Sequence, residues 1–133
     1  MGTLLGFDFG PRKIGVAVGQ TITGAASPLE TLRARSHKPD WGGIGKLIRE
    51  WRPDALVVGL PYNMDDTEVD WAPRVHRFAR QLEGRYRLPV YRVDERLTSR
   101  EARQRLGQKG ASREAVDAMA AKLILDTWLS ERR

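Results

Sequence analysis

Residues 3–19 carry the feature that most constrains the fold. Thr3 to Phe9 is a short apolar run in which Phe7 and Phe9 alternate around Asp8. Ile14 to Val18 alternates Ile14, Val16 and Val18 with Gly15, Ala17 and Gly19. Period-two alternation marks a strand, and these small residues at every other place suit one with a crowded face. Gly10-Pro11-Arg12-Lys13 between them is turn chemistry. The two runs read as a hairpin. An antiparallel opening argues against a doubly wound sheet, which would alternate strand and helix from the beginning.

Beyond the hairpin the pattern changes character. A third strand is expected over Ala26 to Leu32, with Pro28 inside it and its register open. Ile44, Leu47, Ile48 and Trp51 fall at i, i+3, i+4 and i+7, so Trp41 to Trp51 is an amphipathic helix ended by Pro53. Ala55-Leu56-Val57-Val58-Gly59 is a continuous apolar run, as in a strand buried on both faces. Pro61 to Asp70 is a polar loop. Trp71, Val75, Phe78, Ala79, Leu82 and Tyr86 mark a second helix, and Pro89 to Val93 another strand. Thr98-Ser99-Arg100-Glu101 has the capping-box pattern of a short extra helix, and Ser112 could cap a last helix reaching about Trp128. The order β-β-β-α-β-α-β-α predicts an α/β fold with a mixed sheet of about five strands and helices on both faces. The ribonuclease H-like fold has this order.

The chain has 133 residues, the length of one domain, which would span 1–133. It has no cysteine and only two histidines, His37 and His76. Thiolate zinc sites, thiol nucleophiles and three-histidine metal centres are therefore excluded. No apolar run approaches the ~20 residues that cross a bilayer, and a cytoplasmic location is expected. Net charge is +6, from 23 Lys plus Arg against 17 Asp plus Glu. From Pro53 to Ala72 there are five acids and no base, whereas Arg74 to Arg92 holds six arginines against Glu83 alone. An arginine-rich second half suits a polyanion, because neutralised phosphates release counterions. A solvated basic surface would look the same.

Three acids sit where acids are not expected. Asp8 interrupts an apolar strand, where a carboxylate is costly unless paired or metal-bound. Asp94-Glu95-Arg96 stands at a strand's carboxyl end, where sites of open α/β sheets gather. Asp117 shares a helical stripe with Ala121, Ile124 and Trp128, on the apolar side. Each has a structural alternative: a bond to turn amides, a neutralised strand end, a helix-dipole partner. Together they offer three carboxylates from separate elements. Such a cluster repels itself unless a hard cation neutralises it, and oxygen-only ligation suits Mg²⁺ or Mn²⁺. Two ions about 3.5–4 Å apart would serve phosphodiester hydrolysis. Arg12 and Lys13 beside Asp8, and Arg96 and Arg100 beside Glu95, could then hold the phosphate backbone.

Four segments strengthen this reading. Gly6-Phe7-Asp8-Phe9-Gly10-Pro11-Arg12-Lys13-Ile14-Gly15-Val16-Ala17 resembles the opening motif of the YqgF (RuvX) family. Val58-Gly59-Leu60-Pro61-Tyr62-Asn63-Met64-Asp65, Val93-Asp94-Glu95-Arg96-Leu97-Thr98-Ser99 and Val116-Asp117-Ala118-Met119-Ala120-Ala121 are similar to its later motifs, in order. The resemblance implies a ribonuclease H-like nuclease related to Holliday-junction resolvases, acting at the 5′ end of pre-16S ribosomal RNA. It implies Asp8, Glu95 and Asp117 as metal-binding catalytic acids, with Asp94 as alternative or helper at the second position. Asn63, with Arg12, Lys13, Arg96 and Arg100, falls among the expected nucleic-acid contacts. The chain departs from the family pattern in its Arg12-Lys13 order, in Gln20, and in Asp66 and Val69 replacing loop glycines.

Two other readings compete. Gly6 to Gly10 also looks like the phosphate loop of the actin and sugar-kinase superfamily, but that architecture needs two such domains. A non-catalytic RNA-binding protein would explain the charge without explaining three inward acids. Monomer and homodimer stay open, since resolving a symmetric junction needs a dimer and trimming an RNA end does not. The tryptophans are expected mainly in the core, and His76 is expected on the surface.

Overall fold

The computed structural model describes residues 2–34, 38–61, 65, 67–94 and 113–131, the last segment by its backbone alone at 113–116. Five strands form one sheet: β1 (Thr3–Phe9), β2 (Lys13–Gln20), β3 (Ala25–Arg33), β4 (Ala55–Leu60) and β5 (Val90–Asp94). Their spatial order is β3-β2-β1-β4-β5. The first three strands pair antiparallel, and β4 and β5 run parallel to β1. Three helices pack on the sheet: α1 (Trp41–Trp51), α2 (Ala72–Tyr86) and α3 (Arg113–Glu131). This is the mixed sheet expected from the sequence. The extra helix expected near Thr98 lies outside the described residues.

Local chemistry sets the boundaries. Gly10 donates its N–H to the Lys13 carbonyl at 2.9 Å, closing the first hairpin. A Cβ on Gly10 would come within 2.9 Å of that same oxygen, so the turn needs glycine. Asp40 caps α1 by accepting the Gly43 N–H at 2.9 Å, satisfying one of the orphan amides of the first turn. α1 and α2 both end on a left-handed arginine, Arg52 and Arg87, and Pro53 and Pro89 come soon after. Pro28 fits because β3 is an edge strand, and a register shift between Val16 and Ala17 moves their partners from Glu30 to Pro28.

The two faces of the sheet are filled differently. Leu5, Phe7, Phe9, Ile14, Val16, Leu56 and Val58 meet α1 and α2 through Ile44, Leu47, Val75, Phe78 and Leu82. Phe78 lies at the centre, with ring centroids 5.7 Å from Phe7, 4.8 Å from Phe9 and 5.7 Å from Trp41. On the other face Leu4, Ala17, Ala55, Val57 and Val93 meet α3 through Ala121, Ile124, Leu125, Trp128 and Leu129. Trp51, expected on the buried stripe of α1, is 37% exposed at the helix end; Trp41 packs instead. Among the described residues no helix is long and apolar enough to cross a membrane.

Candidate functional site

Asp8 is the one charged or polar residue buried among those described, at 7% exposure. Its neighbours Phe7 and Phe9 belong to the α1/α2 face, so the pleat turns Asp8 toward α3. Its register partner on β2 is Gly15, and Gly15 in turn pairs with Thr31 on β3. Side chains directly opposite on a ladder share a face. Asp8, Gly15 and Thr31 therefore form one row beneath α3.

The helix sits directly over that row. A Cβ on Gly15 would lie 1.9 Å from the Asp117 carbonyl oxygen, an impossible separation. One and two turns further on, α3 meets Gly6 through Ala121 and Leu125, and Gly19 through Leu125 and Leu129. Residues 117, 121, 125 and 129 thus ride on three glycines from β1 and β2. The side-chain-free stripe on β2 is what lets the helix backbone approach. It also brings the Asp117 backbone down onto the Asp8 row, so two of the three expected acids stand on separate elements that meet at Gly15. Both have interaction partners within the fold.

Asp94 does not join them. On β5, Val90 packs with the α1/α2 core, Tyr91 stacks on Trp128 of α3 at 5.0 Å, and Val93 joins the α3 core. Alternation then sends Asp94, register partner of Leu60, to the α2 side, opposite Asp8. Glu95, Arg96, Arg100 and Asn63 lie outside the described residues. Asp8 stands near the carboxyl end of β1, the edge shared by the ends of the parallel strands β4 and β5.

Of the expected phosphate contacts, Arg12 is exposed in the hairpin turn, and its carbonyl accepts the Ala34 N–H at 2.8 Å. Lys13 alternates with Ile14 and so stands on the Asp8 face, paired in register with Arg33. Arg33 and Thr31 are site neighbours that sequence reasoning missed. Their only signal is the register of β3, which Pro28 and the irregularity beside it conceal.

Two further candidates are used locally. Asp65 accepts the Thr67 hydroxyl at 2.6 Å and its N–H at 3.1 Å. These two bonds favour the charged form and hold the Asp65 carboxyl below its ordinary value. His76 meets Glu68 at 2.8 Å, which gives this expected surface residue a carboxylate partner rather than an open phosphate site.

The donor chemistry fits a hard divalent cation. Asp8 and Asp117 offer oxygen only, and the chain has no cysteine to compete. Among the described residues no three His, Cys, Asp or Glu side chains group closely enough to hold a cation.

Comparison with known proteins agrees with this fold. A protein from Azotobacter vinelandii, provisionally named a pre-16S rRNA nuclease, is 56% identical over 133 residues, covering 97% of this chain and 94% of its own. The RuvC protein of T. thermophilus, solved in complex with a Holliday junction substrate, superposes with a TM-score of 0.59 at 19% identity, over 99% of this chain and 96% of its own. The fowlpox virus resolvase, solved with Holliday junction DNA, gives 0.57 at 8% identity over 98% of each chain. These likenesses show the ribonuclease H-like fold. The family model RuvX, described as Holliday junction resolvase, matches residues 2–131, and the chain belongs to that family.

Proposed function

We propose that this chain, as a single domain over 1–133, is a divalent-metal-dependent nuclease of the cytoplasm that hydrolyses phosphodiester bonds in structured RNA, its substrate the 5′ end of pre-16S rRNA. The observation that supports the reading is the buried Asp8, whose register partner Gly15 lies beneath the Asp117 backbone of α3. The name carried by a relative 56% identical over nearly the whole chain supports the substrate.

Asp8, Glu95 and Asp117 would hold the metal, Mg²⁺ or Mn²⁺. Asp94 is disfavoured as the second acid because it stands on the opposite face. When bound, a pair of such ions supplies an activated water and stabilises the leaving oxygen. The chain's own residues do the rest. Asp8, held in a strand between two core residues, fixes one ligand position with little freedom. The backbone of α3, seated on glycine, fixes Asp117. Lys13 on the same face and Arg12 in the turn take the phosphate backbone, with Asn63, Arg96 and Arg100 in the same role. Their positive charge also offsets the repulsion between an acidic site and a polyanion.

The test is cleavage of end-labelled precursor RNA and of a four-way DNA junction by wild type and Asp8→Asn, with Mn²⁺, Mg²⁺ or EDTA. Metal-dependent cutting of RNA that vanishes in the variant supports the reading. Preference for the junction shifts the substrate to branched DNA, the activity named in the family's description. Equal binding without cutting by either form overturns the reading in favour of an RNA-binding protein.

A further inference from the structure

A second feature lies on the other face of the sheet. A cleft of about 400 Å³ opens between the start of α1 and the outer stripe of α2. Its floor is aromatic, made of Phe9, Trp41 and Phe78. Trp41 stacks on Phe78 at 5.7 Å and 29°, and the Arg85 guanidinium covers Trp41 at 4.1 Å from the ring centroid. The remaining charged lining residues are Lys38, Arg74 and Arg77, and no acid among the described residues lines the cleft.

The charge in this cleft runs along one side of α2. Arg74, Arg77, Gln81 and Arg85 fall at i, i+3, i+7 and i+11, one stripe spanning roughly 16 Å of α2 at its 1.5 Å rise. Like charges three residues apart destabilise a helix rather than support it. The one acid within α2, Glu83, accepts from Arg92 of β5 at 2.7 Å and so faces elsewhere. A row of guanidinium groups above a ring floor matches one ligand chemistry closely. Arginine pairs with phosphate in two-pronged fashion, and aromatic rings and guanidinium planes take base faces. Bases offer those faces only where they are unstacked, which means single strands.

The cleft also adjoins the acid site through the backbone. Asp8 and Phe9 are consecutive: Asp8 faces α3, and Phe9 lines the cleft. A strand crossing the carboxyl end of β1 reaches both. We propose that this cleft binds a single-stranded stretch of the nucleic acid flanking the cut, with phosphates on Lys38, Arg74 and Arg77 and a base on the Trp41–Arg85 stack. The inference rests on the nucleic-acid substrate of the proposed function and adds a second contact surface, separate from the carboxylates.

The experiment is anisotropy titration of a labelled 12-nucleotide single-stranded RNA, in EDTA to prevent cutting, across a salt series. Wild type is compared with the double variant Lys38→Gln/Arg77→Gln and with Arg77→Glu, all at exposed positions. Thermal melts check that the variants fold. The double variant should bind about tenfold more weakly, and its salt slope should fall by roughly 1.4, about 0.7 for each phosphate that is no longer neutralised. Unchanged affinity and slope in both variants overturn the proposal. So does an equal loss on a blunt duplex of the same length, whose base faces are covered. A parallel cleavage assay with Mn²⁺ separates the two readings. Cutting by wild type together with wild-type binding by the variants removes the cleft and leaves the nuclease. Cleft-dependent binding without cutting supports the cleft and removes the nuclease. Absence of RNA binding by wild type overturns the cleft.

Discussion

The two faces of the sheet solve the same packing problem in opposite ways. Against α1 and α2 the strands present large side chains, and the helices stand off on Phe7, Phe9, Ile14 and Val16. Against α3 the same strands present Gly6, Gly15, Ala17 and Gly19, and the helix backbone comes down until its own carbonyl fills the space of a missing Cβ. The first arrangement gains stability from apolar area. The second gives up side-chain area on the strands and gains placement: a helix with no side chain beneath it has little room to shift. It is on this second face that the buried carboxylate stands. A metal site needs ligands held within about half an ångström of their working geometry. A helix seated on strand backbone provides that better than one resting on long side chains.

The difference can be broken from either side. Phe78→Ala should have the largest effect. Phe78 is fully buried among Phe7, Phe9 and Trp41, and emptying its place costs about 3–5 kcal/mol in transfer and cavity terms. Urea unfolding would read this as a lower midpoint. Gly15→Ala should rank next, at about 3 kcal/mol. Its methyl meets backbone on the other side, which cannot rotate away. For this variant activity should fall further than stability, because α3 lifts and carries Asp117 from Asp8. Equal losses in both quantities would show that the close seat serves packing alone.

Much of this division was legible in the chain. The hairpin and the helix over Trp41 to Trp51 arise from periodicity, because each buries a face whose repeat is local, and β4 from an unbroken apolar run buried on both faces. The glycine alternation of β2 announced a crowded face, though not what would crowd it. That needed α3, about a hundred residues away in sequence. Asp8 stood out because a carboxylate in an apolar strand conflicts with its neighbours. Arg33 did not stand out, because an arginine at the end of an edge strand conflicts with nothing; only the register across β2 brings it beside Lys13. The basic cleft was hidden for a related reason. Its arginines read as a charge run in one segment, while its floor comes from β1, α1 and α2 together.

Asp8→Asn sharpens the functional side of the comparison. Loss of this proposed cation ligand should reduce cleavage by more than the roughly 10–100-fold typical of losing an outer partner. Stability without metal should change little or rise, since one of two neighbouring acids becomes neutral. A stability loss comparable to that of Phe78→Ala would instead make Asp8 a structural residue. A smaller effect separates the glycines. Gly84 on α2 has nothing within 4 Å of a would-be Cβ, so Gly84→Ala should stabilise by about 0.5–1 kcal/mol through helix propensity alone. The same substitution then has opposite signs at Gly84 and Gly15.

The smallest expected effect is a pH dependence confined to the aromatic face. Burial raises Tyr86 above its ordinary value, an effect that the nearby Arg85 and Arg49 only partly offset. The folded state therefore keeps its phenol proton more tightly than the unfolded chain. Between the unfolded value near 10 and the higher folded one, the native state binds more protons, so unfolding free energy falls as pH rises. Below that window the group contributes no slope. Urea midpoints measured from about pH 8 upward should thus decline more steeply for wild type than for Tyr86→Phe, which keeps the ring against Trp41 and removes the titrating group. Cleavage should not track this titration, because Tyr86 packs on the α1/α2 face and the buried Asp8 stands on the other. If activity fell along the Tyr86 titration while the fold remained intact, the two faces would be coupled, and their separation into a packed face and a placed one would not hold.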